Sequence, residues 1–343
     1  MTTHKNKKRL VRARMAKTGE AYQSAERAVS LAGSPTGSAV QPDDDQARIG
    51  MVLAGRYRLE ELVSGARTPL SGEPEGAPWA IYGARHALLG GDLDIKLLSR
   101  ATSESHPHLR AWLLREGRAL QRGAHPRVLK VFDIGETESG EVYLVLERSP
   151  RTTLGAHLES QRVDERFALE VLRQIAEVLD HLHRSGVIHR GIRNGVIHLE
   201  GPGAAVSVKL SSFSFADLAG DPRLTRTGAV FGHPAWMSPE QCRGEDVDGR
   251  SDLYSLGVVL FAMLAHRLPF WDEDRSKLLE LQCAAPVPAL RAGGSAPSAL
   301  EEICLRLLAK NRDARYPHAG QLLEALRDVS PDRVRANGVQ NGS

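Results

Sequence analysis

Cysteine is scarce in this chain, and no run of apolar residues is long. The three cysteines among 343 residues, Cys242, Cys283 and Cys304, share no short spacing. This argues against a zinc site or a disulfide framework and favours a reducing cytoplasm. The longest apolar run, residues 253–265, is shorter than the roughly 18 residues that a membrane span needs. The basic N-terminus is not followed by the apolar segment of a signal peptide, so we expect a cytoplasmic protein without membrane contact.

Acidic residues are almost absent from the first 30 positions. These positions hold eight Lys and Arg against two Glu, a net charge of +6, whereas the whole chain has a net charge of +3. Such an arm can bind nucleic acid or another acidic partner, and the alternative is a solvated tail with a short helix. No aromatic residue is interleaved with the basic residues of positions 1–17, which favours the tail. We predict a disordered linker over residues 31–50 and a disordered tail over 331–343.

Hydrophobic residues make up 41% of the chain, enough for a full core, and their spacing changes near position 150. Before that position, partial alternation predicts strands, with one helix after the third strand. Beyond it, the pattern is mostly helical. We predict strands over residues 57–63, 79–85, 93–98, 128–132 and 141–146, a helix over 108–122, and later helices over 154–160, 166–185, 253–265, 275–283, 299–308 and 319–329.

The most specific stretch runs from Gly228 to Phe270. Pro234 and Pro239 keep its first part out of a regular helix. Asp252 then heads an apolar run with no polar face, which is typical of a helix buried all round. A loop closed onto such a helix resembles the A-P-E loop and central helix of protein kinases of the bacterial Ser/Thr type.

This resemblance covers residues 55–329, with matching order and spacing of elements. It implies an α+β, two-lobed protein kinase-like fold. Residues 51–148 would form a small, mainly antiparallel β lobe with one helix, and residues 149–330 a large, mostly helical lobe.

The resemblance also implies that two nucleotide-binding residues are retained. Lys96 stands at the position of the phosphate-binding lysine, and Glu116 at that of its partner on the following helix. A structural ion pair between strand and helix is the alternative interpretation. Arg193 replaces the lysine of the catalytic loop and keeps a charge that can hold a phosphate, with different geometry.

The residues that perform phosphoryl transfer in the family are replaced. Gly191 stands where the family has the proton-accepting Asp, and glycine has no group for that task. Val196 and Ser212 stand at the two metal-ligand positions, and a hydrocarbon cannot ligate Mg²⁺. The sequence therefore predicts no intact catalytic residue and no metal site.

The nucleotide cradle departs from the family as well. Trp79 stands at the last glycine of the phosphate-covering loop, and Ser214 replaces the glycine of the D-F-G motif. Asp94 stands where the family has an Ala that packs on adenine. We expect its carboxylate to be desolvated there without a hydrogen-bond return.

The structural positions of the family, in contrast, are filled. Glu240 and Arg315, far apart in sequence, are expected to form a buried ion pair. Asp252 is expected to anchor the catalytic loop to an internal hydrophobic column that includes His189 and Phe213.

The activation segment keeps the residues of a phosphorylation switch. Thr225 and Thr227 are candidate acceptors, and Arg190 is expected to bind the phosphate after another kinase has added it.

We therefore predict a catalytically impaired pseudokinase that serves as a signalling or protein-binding module. We expect no cofactor, or weak metal-independent ATP binding through Lys96. The expected partners are proteins, among them an active kinase or its substrate. Two alternatives stay open: an active Ser/Thr kinase that uses Asp217 and Arg193, and a nucleic-acid-associated regulator that acts through residues 1–30.

Overall fold

Six antiparallel strands form one sheet in the first part of the computed structural model, which describes residues 42–65, 78–220, 232–290 and 298–329. They pair in the order β1-β2-β3-β4-β6-β5. The strands are β1 Val52–Leu53, β2 Tyr57–Ser64, β3 Ala80–His86, β4 Asp92–Leu98, β5 Val131–Glu136 and β6 Val142–Glu147. Three helices accompany this sheet where one was predicted: α1 Pro42–Ala47, α2 Arg100–Ser105 and α3 Pro107–Arg122.

Helix α3 packs against the sheet through one apolar face. Pro107 opens its first turn, where the missing N–H would have had no helical partner. Leu109, Leu113 and Leu120 recur at helical spacing and are buried, facing β5 and β6 as a one-sided helix should. Glu116 lies among the buried residues of the same helix, so a carboxylate is carried into the interior.

The second part of the chain is mainly helical, as predicted. Two short antiparallel ribbons, β7 with β10 and β8 with β9, lie between the helices in sequence. Their strands are β7 Val187–Ile188, β8 Ile197–Glu200, β9 Ser207–Leu210 and β10 Asp217–Leu218. The helices are α4 Leu154–Ser160, α5 Glu165–Arg184, α6 Pro239–Cys242, α7 Gly249–Ala265, α8 Arg275–Ala284, α9 Ala299–Leu307 and α10 Ala319–Arg327.

Helix α7 is the centre of the large lobe. It was predicted from residue 253 and begins instead at Gly249, because the Asp248 side chain accepts the N–H of Arg250 at 2.8 Å and caps the helix. Residues 251–263 are all buried, as the apolar run without a polar face predicted. Helices α5 and α9 both pack against α7, so the core of the large lobe is built around α7.

Strand β5 begins later than the sequence predicted. The corresponding predicted strand covers residues 128–132, but β5 starts at Val131. The N–H of Leu129 donates to the carbonyl of Leu210 at 3.0 Å, and Val128 forms a parallel bridge with the same residue. This part of the chain is therefore bonded to the large lobe before it joins the sheet.

Helix α1 lies within the segment predicted as a disordered linker, so that prediction is wrong for residues 42–50. The Tyr82 hydroxyl donates to the carbonyl of Asp45 at 3.0 Å, and Asp45 itself is buried. Arg48 forms an ion pair with Glu141. Order here comes from contacts with distant strands, which local composition does not reveal.

Within the described ranges, no helix is both long and apolar enough to cross a bilayer. The basic arm predicted over residues 1–30 and the tail predicted over 331–343 lie outside those ranges, and both stay predictions.

Candidate functional site

A cavity of about 250 Å³ lies between the small-lobe sheet and the β8–β9 ribbon. Its walls combine apolar side chains with a few charged ones, which is typical of small-molecule sites. The apolar lining includes Val63, Ile81, Leu129, Leu146 and Val196. The polar lining includes Asp94, Lys96, Glu116, Ser149, Arg151 and Arg193.

Lys96 is enclosed at one end of this cavity. Its side chain is 5% exposed, and its Nζ lies 2.6 Å from Glu116 Oε2. The same nitrogen donates to Ser214 Oγ at 3.0 Å and lies 3.7 Å from the centroid of the Trp79 ring. A cation over an aromatic face is stabilised by the ring quadrupole. The ammonium group is thus held by a carboxylate, a hydroxyl and an indole at once.

The structure brings together the predicted Lys96–Glu116 pair and adds two residues that the sequence did not assign to it. Ser214 Oγ also donates to Glu116 Oε2 at 2.9 Å, so the serine links both members of the pair. Sequence reasoning treated Ser214 and Trp79 only as lost glycines. The bulk of Trp79 was a usable signal, but its position over the ammonium depends on the folded sheet.

Asp94 is not left without hydrogen bonds, and the expectation that it would be is wrong. Its Oδ2 accepts the backbone N–H of Ser149 at 2.9 Å and also the Ser149 hydroxyl. Arg151 donates to both carboxylate oxygens at 3.1 Å. The side chain is buried, but its charge is matched, because the segment after β6 supplies both partners. The backbone N–H of Ser149, a residue that lines the cavity, is therefore already bound to Asp94.

Two more residues extend this contact into a cluster that we call the carboxylate–arginine cluster, consisting of Glu61, Asp94, Arg148 and Arg151. Glu61 Oε1 accepts from Arg148 Nη2 at 2.6 Å and from Arg151 Nη2 at 2.7 Å. The carboxylates come from β2 and β4, whereas the arginines come from the segment that leads to the large lobe. The cluster therefore joins the sheet to the beginning of the large lobe.

Asp252 anchors the loop that follows β7, as predicted. Its Oδ2 accepts the N–H of His189 at 2.9 Å, and its Oδ1 accepts the N–H of Arg190 at 2.7 Å. His183 Nε2 lies 2.9 Å from Oδ2. The His189 and Phe213 rings are in contact, with centroids 4.5 Å apart. Two backbone N–H groups bound by one buried carboxylate fix this loop firmly.

The predicted ion pair between Glu240 and Arg315 is also present. Arg315 Nη1 and Nη2 donate to Glu240 Oε1 and Oε2 at 2.7 and 2.9 Å, the bidentate geometry that planar guanidinium groups favour. Their side chains are 2% and 0% exposed. The pair ties the helix α6 to the segment before α10, across 75 positions of sequence.

These contacts agree with a comparison of the sequence against family models, in which residues 76–325 match the model described as "Protein kinase domain". The chain belongs to the protein kinase family. The sheet lobe and the helical lobe are accordingly the two lobes of a kinase domain.

Bacterial Ser/Thr kinases are among its relatives. The chain is 34% identical over 283 residues to the DNA damage-responsive serine/threonine-protein kinase RqkA of Deinococcus radiodurans, covering 81% of this chain and 40% of that protein. It is 30% identical to the serine/threonine-protein kinase pkn3 of Myxococcus xanthus, with coverage of 88% and 55%. Identity to PrkC of Bacillus subtilis is 29%, with coverage of 79% and 40%. The chain thus spans between two fifths and just over half of the length of these relatives.

The catalytic loop of this kinase domain carries Gly191 where the family has its base, and a Cβ can be accommodated there. A Cβ added at Gly191 would meet its nearest neighbour, Phe215, at 3.5 Å, which is ordinary contact. Val196 is buried, and Ser212 has a positive φ of 64°. In the part of the chain that the structure describes, no three His, Cys, Asp or Glu side chains are grouped to hold a metal ion. Gly191, Val196 and Ser212 themselves supply neither a carboxylate nor an amide oxygen to a Mg²⁺ ion.

Asp217, the candidate for a relocated catalytic carboxylate, pairs with Ile188 in the β7–β10 ribbon. It is not among the described residues that line the cavity. Arg193 does line the cavity, but the two candidates are not brought together there.

His233 is a neutral side chain close to the catalytic loop. Burial, with the positive charges of Arg193 and Arg275, lowers the pKa of His233 to about 3. Both of its ring nitrogens are buried without a hydrogen-bond partner.

The activation-segment prediction is only partly addressed. Arg190 has a positive φ of 60°, and its carbonyl accepts from Gln241 Nε2 at 3.0 Å. Thr225 and Thr227 lie outside the described residues, so the docking of a phosphothreonine on Arg190 stays a prediction.

Proposed function

We propose that this chain is a pseudokinase: a protein kinase domain that transfers phosphate inefficiently or not at all and acts by binding proteins. The observation that carries the proposal is the enclosure of Lys96 by Glu116, Ser214 and Trp79. A lysine that binds ATP phosphates must present its ammonium to them. Here an indole occupies that approach.

Three further features support the same proposal. The Ser149 N–H, a donor that a heterocyclic base could have used, is bound to Asp94. Val196 and Ser212 offer no carboxylate for Mg²⁺, and Gly191 offers no base. Most of the catalysis of phosphoryl transfer comes from positioning and electrostatic stabilisation, and this site has lost the base and both metal ligands that contribute to them.

The names of the relatives describe those proteins as kinases and support the family of this chain. We infer the activity of this chain itself from the residues of its own site. We propose that its partners are proteins, among them an active kinase or the substrate of one, and that it is a signalling module in the cytoplasm.

Calorimetry with Mg-ATP and with ATP in EDTA tests the proposal. We expect no binding of Mg-ATP to the natural chain, and no shift of its melting temperature by Mg-ATP. The paired variant Trp79→Gly, Asp94→Ala should gain nucleotide binding, because it opens Lys96 and frees the Ser149 N–H. Adding Lys96→Met to that variant should remove the gain.

Micromolar affinity of the natural chain for Mg-ATP, together with phosphate transfer that Lys96→Met abolishes, would show an active kinase with a relocated site. Weak binding of ATP without Mg²⁺ would agree with the proposal, because it needs no metal ligand.

A second candidate function rests on the net charge of +6 in residues 1–30, which we propose as a contact for nucleic acid. Affinity for a DNA duplex should then fall steeply with salt, because bound counterions are released. Changing Lys5, Lys7, Lys8 and Arg9 to Gln should reduce the slope. An unchanged slope would exclude the arm from the contact.

A further inference from the structure

Two of the three cysteines lie on neighbouring helices of the large lobe, although they are 41 positions apart in the sequence. Cys242 ends helix α6, and Cys283 lies in the last turn of helix α8. Cys283 Sγ donates to the carbonyl of Pro239 at 3.7 Å, within the helix that carries Cys242. Helices α6 and α8 pack against each other, and Cys242 Sγ donates to the carbonyl of Met237 at 3.9 Å, just before the same helix α6. Two cysteines on packed helices, one of which contacts the backbone of the other's helix, are candidates for a disulfide.

The third cysteine provides a matched comparison within the same lobe. Cys304 lies in α9, is fully buried, and donates to the carbonyl of Gly257 at 3.6 Å. Cys242 is buried too, whereas Cys283 is only half-buried. Of the three thiols, Cys283 is therefore the one that a small oxidant reaches first.

A lysine with an unusual environment lies beside the pair. Lys310 Nζ donates to the carbonyl of Gln282 at 2.7 Å and to the Tyr254 hydroxyl at 3.0 Å, and it lies 3.9 Å from the Phe270 ring centroid. Gln282 is the chain neighbour of Cys283. Burial lowers the pKa of Lys310 to about 8, against the opposing effect of both cysteines. A fraction of this amine is therefore neutral near pH 7 and can accept a thiol proton.

We propose that Cys242 and Cys283 are a redox modification site, at which a hydroperoxide converts the two thiols into a reversible disulfide. In the first step Lys310 accepts the Cys283 proton, the thiolate attacks one peroxide oxygen, the O–O bond breaks, and the proton passes from Lys310 to the departing hydroxide. This yields a sulfenic acid on Cys283 and, for hydrogen peroxide, one water. In the second step the Cys242 sulfur attacks Cys283 Sγ, the S–O bond breaks, and a second water leaves.

The electron count of these steps balances. Two thiols and one H₂O₂ give one disulfide and two waters, with each sulfur losing one electron and the peroxide gaining two. The thiol of Cys242 is a slow nucleophile in the resting protein, because burial raises its pKa to about 12. Cys242 therefore attacks only the sulfenic acid, and its proton leaves with the displaced hydroxide as the second water. A thiol reductant restores the pair.

The bond would connect α6 to α8. Helix α6 carries Glu240, and α8 follows the exposed Trp271. A disulfide would thus fix α8 and the exposed Trp271 that precedes it relative to helix α6, which Arg315 already anchors through Glu240. Neither cysteine lines the cavity, so this inference is independent of the pseudokinase proposal.

The test uses the full natural chain. It is exposed to hydrogen peroxide under native conditions, unreacted thiols are blocked with iodoacetamide, and non-reduced peptides are identified by mass spectrometry. We expect a peptide that links Cys242 to Cys283, lost after treatment with dithiothreitol, while Cys304 stays unlinked. In Cys242→Ser, Cys283 should instead be trapped as a sulfenic acid by dimedone, and Lys310→Met should slow formation of the link several-fold.

Cys304→Ser serves as the control and should form the link at the natural rate. The natural chain gives the decisive readout, so the test does not depend on the folding of any variant. Recovery of both Cys242 and Cys283 as alkylated thiols after peroxide would overturn the proposal. So would a link that joins either residue to Cys304 or to a second chain.

Discussion

Replacing Glu240 with Ala is expected to destabilise this kinase domain strongly. In the folded chain, Glu240 accepts two hydrogen bonds from Arg315 at 2.7 and 2.9 Å and one from Ser251 Oγ at 2.6 Å. The Arg315 side chain is 0% exposed. The substitution would therefore leave a guanidinium charge in the interior without its counter-charge.

The magnitude follows from the burial of the pair. Removing one partner of a buried ion pair costs about 3–5 kcal/mol of unfolding free energy. For a large domain, each kcal/mol lowers the melting temperature by roughly 2–4 °C, so a decrease of roughly 6–20 °C is expected. Arg315→Ala should cost at least as much, because the guanidinium also donates to the carbonyls of Ala309, Arg250 and Lys310.

The same pair predicts a dependence on pH. Burial alone would raise the pKa of Glu240, but the hydrogen bonds and charge of Arg315 outweigh it and lower the pKa to about 2, from an ordinary value of 4.5. Because the folded-state pKa is depressed, the stabilisation is complete above about pH 4.5 and is lost as the pH falls toward about 2.

Thermal and urea denaturation, monitored by circular dichroism, measure these effects. Glu104→Ala is the matched control, because its ion pair with Arg100 is 64% exposed on both sides and should contribute less than about 1 kcal/mol. A melting temperature of Glu240→Ala as high as that of Glu104→Ala would contradict the prediction. So would a double variant, Glu240→Ala with Arg315→Ala, whose loss of stability equals the sum of the two single losses, since contacting residues should be coupled.

Three other predictions concern the site. Gly191→Asp should give no transfer of radiolabelled phosphate to a basic peptide, because Lys96 stays enclosed, although a Cβ at position 191 meets only ordinary contacts; transfer at levels that Lys96→Met abolishes would contradict this. His233 has a pKa below its unfolded value, so stability should fall as the pH drops from about 6.5 toward 3, and His233→Phe should flatten that decrease in urea titrations at stepped pH. Phosphorylation of Thr225 by an active kinase should protect the activation segment from protease, and an equal cleavage pattern in Arg190→Ala would exclude docking.

The lobes and their anchors could be predicted from the sequence because they depend on strong local patterns. The all-round apolar run after Asp252 identified the buried helix, and helical spacing of leucines identified α3. The pairing of Glu240 with Arg315 came from the resemblance to kinases, and chemistry agreed with it, since a buried charge requires a partner. Helix boundaries were less certain, because a cap such as Asp248 adds a turn that hydrophobic spacing does not reveal.

The enclosure of Lys96 and the pairing of Asp94 could not be predicted from the sequence, because both depend on side chains that meet only in the folded chain. Ser214 reaches Lys96 across 118 positions, and Arg151 reaches Asp94 across 57. From the sequence, Asp94 was a charge against an apolar surface. The order of α1 was missed for the same reason, since it rests on Tyr82, a residue of the sheet.

The carboxylate–arginine cluster has a consequence for how the two lobes are held together. Glu61 and Asp94, from the sheet, are bound by Arg148 and Arg151, from the segment that leads to the large lobe. These ion pairs form within the chain, so this connection needs no bound molecule. Because both arginines and Glu61 are partly exposed, dissolved salt screens them, and high ionic strength is the condition that should loosen this junction.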